Sequence, residues 1–278
     1  MSLRESALLQ AADIEFSYGG TSVLRGVSLA VPDGGFLGIL GPNGSGKTTL
    51  LKVLAGTLRC SRGVLTIDGQ NVATTPRRSL ARRMAVVPQE THLTFDYRVL
   101  EVVLMGRYPH LGTFEIEGPE DIEIARRALA ATGTTPFEER LFATLSGGEK
   151  QRVVIAAALA QVTHASGTAG SYLLLDEPTA ALDLAYQIEI AALLRDLQRR
   201  TRITILVSTH DLNFAAGVCH SLVLLSAGRV LAAGAVADVL TPENIRRLYG
   251  VEADVQQHAA AGRLVVVPLA RAPTGVQG

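Results

Sequence analysis

The chain has 278 residues, enough to bury a large core as one α/β domain with a subdomain or as two small domains. Its 26 basic residues balance 26 acidic ones, so no global basic excess favours nucleic acid as a partner. Mean hydropathy is +0.26, yet no run approaches the ~18 apolar residues that a spanning helix needs; the richest, Val153 to Val162, is short and holds Gln161.

The opening Met1-Ser-Leu-Arg-Glu-Ser6 lacks the basic start and long apolar stretch of a signal peptide. Leu8–Phe16, Ser22–Ala30 and Gly35–Leu40 alternate in polarity, punctuated by Gly19-Gly20 and Pro32-Asp-Gly-Gly35. They predict strand, turn and strand in an antiparallel lead-in. Gly41-Pro-Asn-Gly-Ser-Gly-Lys47-Thr48 then fits the P-loop pattern G-x-x-x-x-G-K-[ST]. A short buried strand, Phe36–Leu40, precedes it, and a helix over Thr48–Ala55 follows. Gly41, Gly44 and Gly46 let backbone N–H groups turn inward around phosphate oxygens, with Asn43, Ser45 and Thr49 completing the cradle. Lys47 reaches the β- and γ-phosphates, and the Thr48 hydroxyl is a candidate Mg²⁺ ligand. Lysine occurs only at 47, 52 and 150, which makes a chance match improbable.

Gly63–Asp68 reads as a strand ending in an Asp68-Gly69 turn, and Met84–Pro88 as a short strand stopped by proline. From about Thr91 to Leu145 the texture becomes helical, as in Val99–Met105 and Pro119–Thr132, and predicts a helical insertion. Helix 147–162, strand 171–175, helix 184–199, strand 202–207 and a strand near Leu222–Leu225 follow. That alternation argues for a mostly parallel sheet covered on both faces. Thr163–Ser171 reads as a surface loop, and Ala270–Gly278 as a frayed end. Cys60 and Cys219 have no paired spacing and read as reduced thiols of a cytosolic protein.

Two further motifs carry chemistry. Tyr172-Leu-Leu-Leu-Asp176-Glu177 is an apolar strand ending in two acids. With a P-loop in the same chain, Asp176 becomes a candidate Mg²⁺ ligand and Glu177 the group that orients or deprotonates the attacking water. Leu145-Ser-Gly-Gly-Glu149 carries a capping box, with Ser146 as N-cap and Glu149 three residues on. Ser146, Gly147 and Gly148 therefore start a second helix whose free N–H groups suit an anion.

Leu145-Ser-Gly-Gly-Glu149 resembles the signature motif of ATP-binding cassette (ABC) ATPases, and the chain supplies the rest of that family's pattern in order. The resemblance implies that Tyr18 stacks on adenine and that Gln89 is the Q-loop glutamine at the metal and water. It implies a D-loop at Ala181-Leu-Asp183, beginning with Ala where relatives often have Ser, and a switch histidine at His210. Ala157 stands where many relatives carry Arg, a departure outside the chemistry. The implied fold is one P-loop NTPase (RecA-like) domain over 1–278: a core at about 1–90 and 146–250, a helical subdomain at about 91–145, and a C-terminal strand pair at about 251–278. The implied assembly is a head-to-tail homodimer in which the signature of one subunit closes over ATP and Mg²⁺ held by the other.

The chain carries one cassette, no spanning helix and no long heptads, which points to a separate transporter ATPase at the cytoplasmic face of the membrane. Its partners are then permease subunits and, indirectly, a substrate-binding protein. Val102–Gly112 and Leu248-Tyr-Gly-Val251 resemble the importers of iron-siderophores, haem and cobalamin, and strands at Asp254–Gln257 and Arg263–Pro268 close the chain. The loop around His164–Ser171 leans toward haem. Phe95, Tyr97, Leu100 and Tyr108 are the candidate socket for a partner helix. The rival readings are a soluble ABC-type ATPase uncoupled from transport and an importer ATPase for another substrate class.

Overall fold

In the computed structural model, which describes residues 7–91, 93–164, 167–168, 170–180 and 182–272, the alternating lead-in forms β1 (Ala7–Tyr18) and β2 (Thr21–Pro32), paired antiparallel. Next come β3 (Phe36–Leu40), α1 (Lys47–Leu54), β4 (Arg62–Ile67), the short β5 (Gln70–Asn71), α2 (Arg77–Arg83) and β6 (Met84–Val87). The insertion supplies α3 (Val99–Leu104) and α4 (Pro119–Ala131), with one 3-10 turn (Met105–Arg107) between them and two more (Thr135–Phe137 and Phe142–Thr144) after α4. The chain returns through α5 (Gly147–Val162), β7 (Tyr172–Asp176), α6 (Leu184–Thr201), β8 (Thr204–Thr209) and α7 (Leu212–Val218). It ends with β9 (Ser221–Ser226), β10 (Arg229–Ala235), α8 (Val236–Val239), α9 (Pro242–Tyr249), β11 (Val251–His258) and β12 (Arg263–Arg271).

The central sheet has six strands in the order β10-β9-β3-β8-β7-β6. Its neighbours run parallel except β10, a hairpin partner of β9 at one edge. A second sheet, β2-β1-β4-β5, is antiparallel. Side-chain alternation divides the interior. Leu37, Ile39, Leu174 and Leu206 point into a core shared with α1 and the antiparallel sheet. Phe36, Leu40, Leu173, Leu175, Ile205 and Val207 point into the opposite core, with α3 to α7. Strands buried on both faces read as continuous apolar runs, as the sequence of β7 does.

The insertion is anchored by a buried arginine. Arg107 donates to the Ala160 and Thr163 carbonyls at 2.6 and 2.8 Å, at the end of α5, and pairs with Asp121 at 2.9 Å. A cation at a helix C-terminus meets carbonyls that no intrahelical N–H satisfies. The β11–β12 hairpin is tied to α7 by Asn213, whose amide bonds both backbone groups of Val266, at 3.1 and 2.8 Å.

Three expectations need correcting. Strand β8 starts at Thr204 because Arg202 caps α6 in the left-handed region, at φ 54°, and so delays the extended chain. Ala270 and Arg271 are paired with Glu252 and Val251 in β12 and are not frayed; residues 273–278 lie outside the described residues. Thr163–Ser171 is not a simple surface loop: Thr168 and Ser171 are buried, with hydroxyls donating to the Thr201 and Val162 carbonyls.

Candidate functional site

The P-loop leaves β3 and enters α1 at the carboxyl edge of the sheet, where open parallel sheets bind ligands. Gly44 and Gly46 take φ of 77° and 103°, values a side chain resists. A Cβ on Gly41 would lie 2.3 Å from the Leu225 carbonyl oxygen. Asn43, Gly44, Gly46, Lys47, Thr48, Thr49, Gln89, Glu177 and His210 line one open cleft of about 650 Å³, with Val23 and Ala180. Gly41, Ser45 and Asp176 are buried beneath it.

Lys47 is the electrostatic centre. Its Nζ donates to the Gly41 and Pro42 carbonyls at 2.9 and 3.3 Å and pairs with Glu177 Oε1 at 3.2 Å. The other Glu177 oxygen meets His210 Nδ1 at 3.0 Å. Glu177 itself sits at φ 46°, an uncommon backbone state for a non-glycine residue. Ser208 holds it there: the Glu177 N–H donates to the Ser208 carbonyl and to its Oγ, both at 3.1 Å. The same Ser208 hydroxyl donates to Asp176 Oδ1 at 2.5 Å. Ser208 was not singled out from the sequence, because only the pairing of β7 with β8 brings it to the two acids.

Thr48, Gln89 and Asp176 present hydroxyl, amide and carboxylate oxygen, the hard donors Mg²⁺ prefers. Among the described residues no cluster of three His, Cys, Asp or Glu could hold a metal alone. One carboxylate beside a phosphate cradle suits an ion that takes most of its other ligands from nucleotide and water.

The remaining sequence-predicted residues stand apart from the cleft. Ser146 caps α5 as expected: its Oγ accepts the Glu149 N–H at 3.3 Å, and Glu149 accepts the Ser146 N–H at 2.7 Å. That backbone bond to Ser146 holds the Glu149 carboxyl below its ordinary range. Gly147 and Gly148 begin α5, and Asp183 caps α6; Ala181 lies outside the described residues. Tyr18 is half exposed at the end of β1, edge-on to Phe16 with centroids 4.7 Å apart. Neither it nor the signature residues line the cleft.

Of the candidate socket, Phe95 and Tyr108 are well exposed, while Tyr97 and Leu100 are partly buried against the core. Tyr97 and Tyr108 share a cavity of about 240 Å³ with Glu101, Leu104, Met105 and Glu117. No described helix is long and apolar enough to cross a membrane.

The chain is similar to known proteins over most of its length. The profile of the ABC transporter family matches residues 24–180. A hemin import ATP-binding protein HmuV of Gloeobacter violaceus is 45% identical over 265 residues, covering 95% of each chain. A cobalamin import ATP-binding protein BtuD of Halobacterium salinarum is 38% identical over 94% of this chain and 63% of its own. Among solved structures, a chain of a transporter described as metal-chelate type, in an inward-facing conformation, superposes with a TM-score of 0.81 at 30% identity, covering 95% of this chain and 98% of that one. With its P-loop, its paired acids and these relatives spanning nearly its whole length, the chain belongs to the ABC transporter family, among its ATP-binding members.

Proposed function

We propose that this chain is the ATPase subunit of an importer for a metal chelate, with hemin the leading cargo. The observation that carries the reading is Glu177 bridged between Lys47 and His210 at the mouth of the phosphate cradle. The similarity to a hemin import protein over 95% of both chains supports the cargo class. ATP displaces Lys47 from Glu177 and takes its ammonium onto the β- and γ-phosphates. Thr48, Gln89 and Asp176 would hold Mg²⁺, which would neutralise charge developing on the phosphates. Glu177, freed from Lys47, orients and deprotonates water, and His210 donates to the γ-phosphate. Tyr18 stacks on the adenine. The functional domain is the whole chain, with residues 91–145 as a helical subdomain and the β11–β12 pair as a C-terminal appendage.

The working form is a homodimer at the cytoplasmic face of the membrane. Ser146, Gly147, Gly148 and Asp183 of one chain complete the cleft of the other, so both phosphate-facing helix starts are used. Permease subunits dock on the Tyr97–Tyr108 groove, and a substrate-binding protein delivers the chelate to them. The test is reconstitution in vesicles with permease subunits that co-purify with this chain. ATP-dependent hemin uptake into vesicles that Lys47→Ala abolishes is the expected result. ATP hydrolysis without uptake of hemin, a siderophore complex or cobalamin would remove the metal-chelate reading and leave an ATPase that serves another substrate class or is uncoupled from transport.

A further inference from the structure

We propose that Tyr186 is a positioning residue that locks the start of the signature helix α5 to the start of α6, so that the two elements facing the partner's nucleotide move as one body. This rests on the two-chain site proposed above.

The seam between the helix starts is built side chain by side chain. Asp183 caps α6 by accepting the Tyr186 N–H at 3.1 Å, which fixes the first turn from which the ring projects. The ring packs against the bare Cα of Gly148. A Cβ there would come within 2.2 Å of Tyr186 Cδ1, closer than any real contact. Gly148 is therefore required twice, once for approach of an anion to the helix start and once to admit this ring. Ser146 Oγ donates toward the Tyr186 hydroxyl at 3.4 Å, a long and weak bond. Leu182 lies 3.6 Å from the place of a Cβ on Gly147, and Arg152 pairs with Glu189 at 2.9 Å one turn further along.

Away from that seam, α6 also exposes apolar residues. Leu184 and Ile188, one turn apart on α6, are 72% and 60% exposed. The signature presents N–H groups and a hydroxyl to a phosphate, and such donors work only when their direction is fixed beforehand. An N-terminal turn containing two glycines has little stiffness of its own. The ring supplies that stiffness from outside the helix. Because the hydroxyl bond is long, the ring's packing on Gly148 carries most of the effect.

The test uses the full chain in a Glu177→Gln background, where ATP should hold the dimer closed. Tyr186→Ala is expected to weaken ATP-driven dimerisation by about tenfold or more, in the range of coupled contacts. Binding of ATP by the separate chain should stay at the parental value, since Tyr186 lies away from the cleft, while its melting temperature falls only by the modest amount that one partly buried contact supplies. Tyr186→Phe should restore dimerisation to near the parental level. A Tyr186→Ala chain that dimerises like its parent overturns the proposal, as does a Tyr186→Phe chain as defective as Tyr186→Ala. If Tyr186→Ala melts at much lower temperature, Tyr186→Leu keeps apolar bulk without the aromatic ring and carries the same expectation. Ser146→Arg in the same background separates the two readings. If it still dimerises on ATP, the two-chain site itself fails; if it does not and Tyr186→Ala does, only the role of Tyr186 fails.

Discussion

Replacing Glu177 by Gln tests the centre of the cleft, because that carboxylate faces both a cation and the expected position of water. Glu177 lies 3.2 Å from Lys47 and 3.0 Å from His210, and Lys47 and Glu177 are only 5% and 12% exposed. Two unit charges at that separation attract by about 5 kcal/mol at an effective dielectric constant of 20. Most of this is not lost on ATP binding, since phosphates replace the carboxylate around Lys47. The net advantage to ATP of removing the competing anion is about 1–2 kcal/mol, or roughly 5- to 30-fold in Kd. Hydrolysis should fall at least ~100-fold, the usual cost of losing a general base. Phosphate release at saturating ATP–Mg²⁺, equilibrium binding of ATP and gel filtration with ATP check the three consequences: slow turnover, tighter binding and an accumulated dimer. A variant that turns over at the wild-type rate refutes the role of Glu177 in handling water. One that binds ATP no better than wild type refutes the competition for Lys47.

Mixed assemblies of Ser146→Arg and Lys47→Ala chains should keep one intact composite cleft and measurable ATPase activity, whereas the double variant mixed with wild type spoils both; equal activities in verified heterodimers would count against a shared site. Ser208→Ala removes the hydroxyl bonded to Asp176 and to the Glu177 N–H, and should lower turnover about tenfold or more with little change in ATP affinity; an unaffected turnover would make Ser208 a packing residue only. Tyr97→Glu should leave ATP binding intact while abolishing co-purification with the permease; because Tyr97 is partly buried, a misfolded variant would assign it to the core, and normal transport would move the socket elsewhere. His110 and His164 stack edge to face, 5.5 Å between centroids, and burial first, then the charges of Arg107 and Arg82, lower both below 6.5. Below about pH 6.5 the unfolded chain therefore binds more protons than the folded one, so stability should fall as pH drops through that window. Thermal melts should show a shallower acid slope for His164→Asn, and an unchanged slope would exclude the pair as its source.

Local chemistry was legible in the sequence wherever one segment suffices. The glycines at 44 and 46, Lys47 and the helix after them need only neighbours in the chain. The Ser146–Glu149 capping box is likewise local, and α5 runs over the expected residues. The apolar run of β7 announced a strand buried on both faces, because alternation disappears when both sides are covered. Short elements such as α2, α8 and β10 were not foreseen, since seven, four and seven residues hold too little periodicity to separate from a turn.

What tertiary structure alone decided is which distant residues share atoms. Pairing of β7 with β8 sets Ser208 beside Asp176 and supports the positive φ of Glu177. Packing of α6 on α5 puts the Tyr186 ring on Gly148, and docking of the insertion sends Arg107 to the end of α5. Residue type and spacing determine local backbone conformation and hydrogen-bonding capacity, because those depend on neighbours a few bonds away. The partner of a side chain depends on register and on how layers pack, and these are settled only when the whole chain buries its apolar faces together.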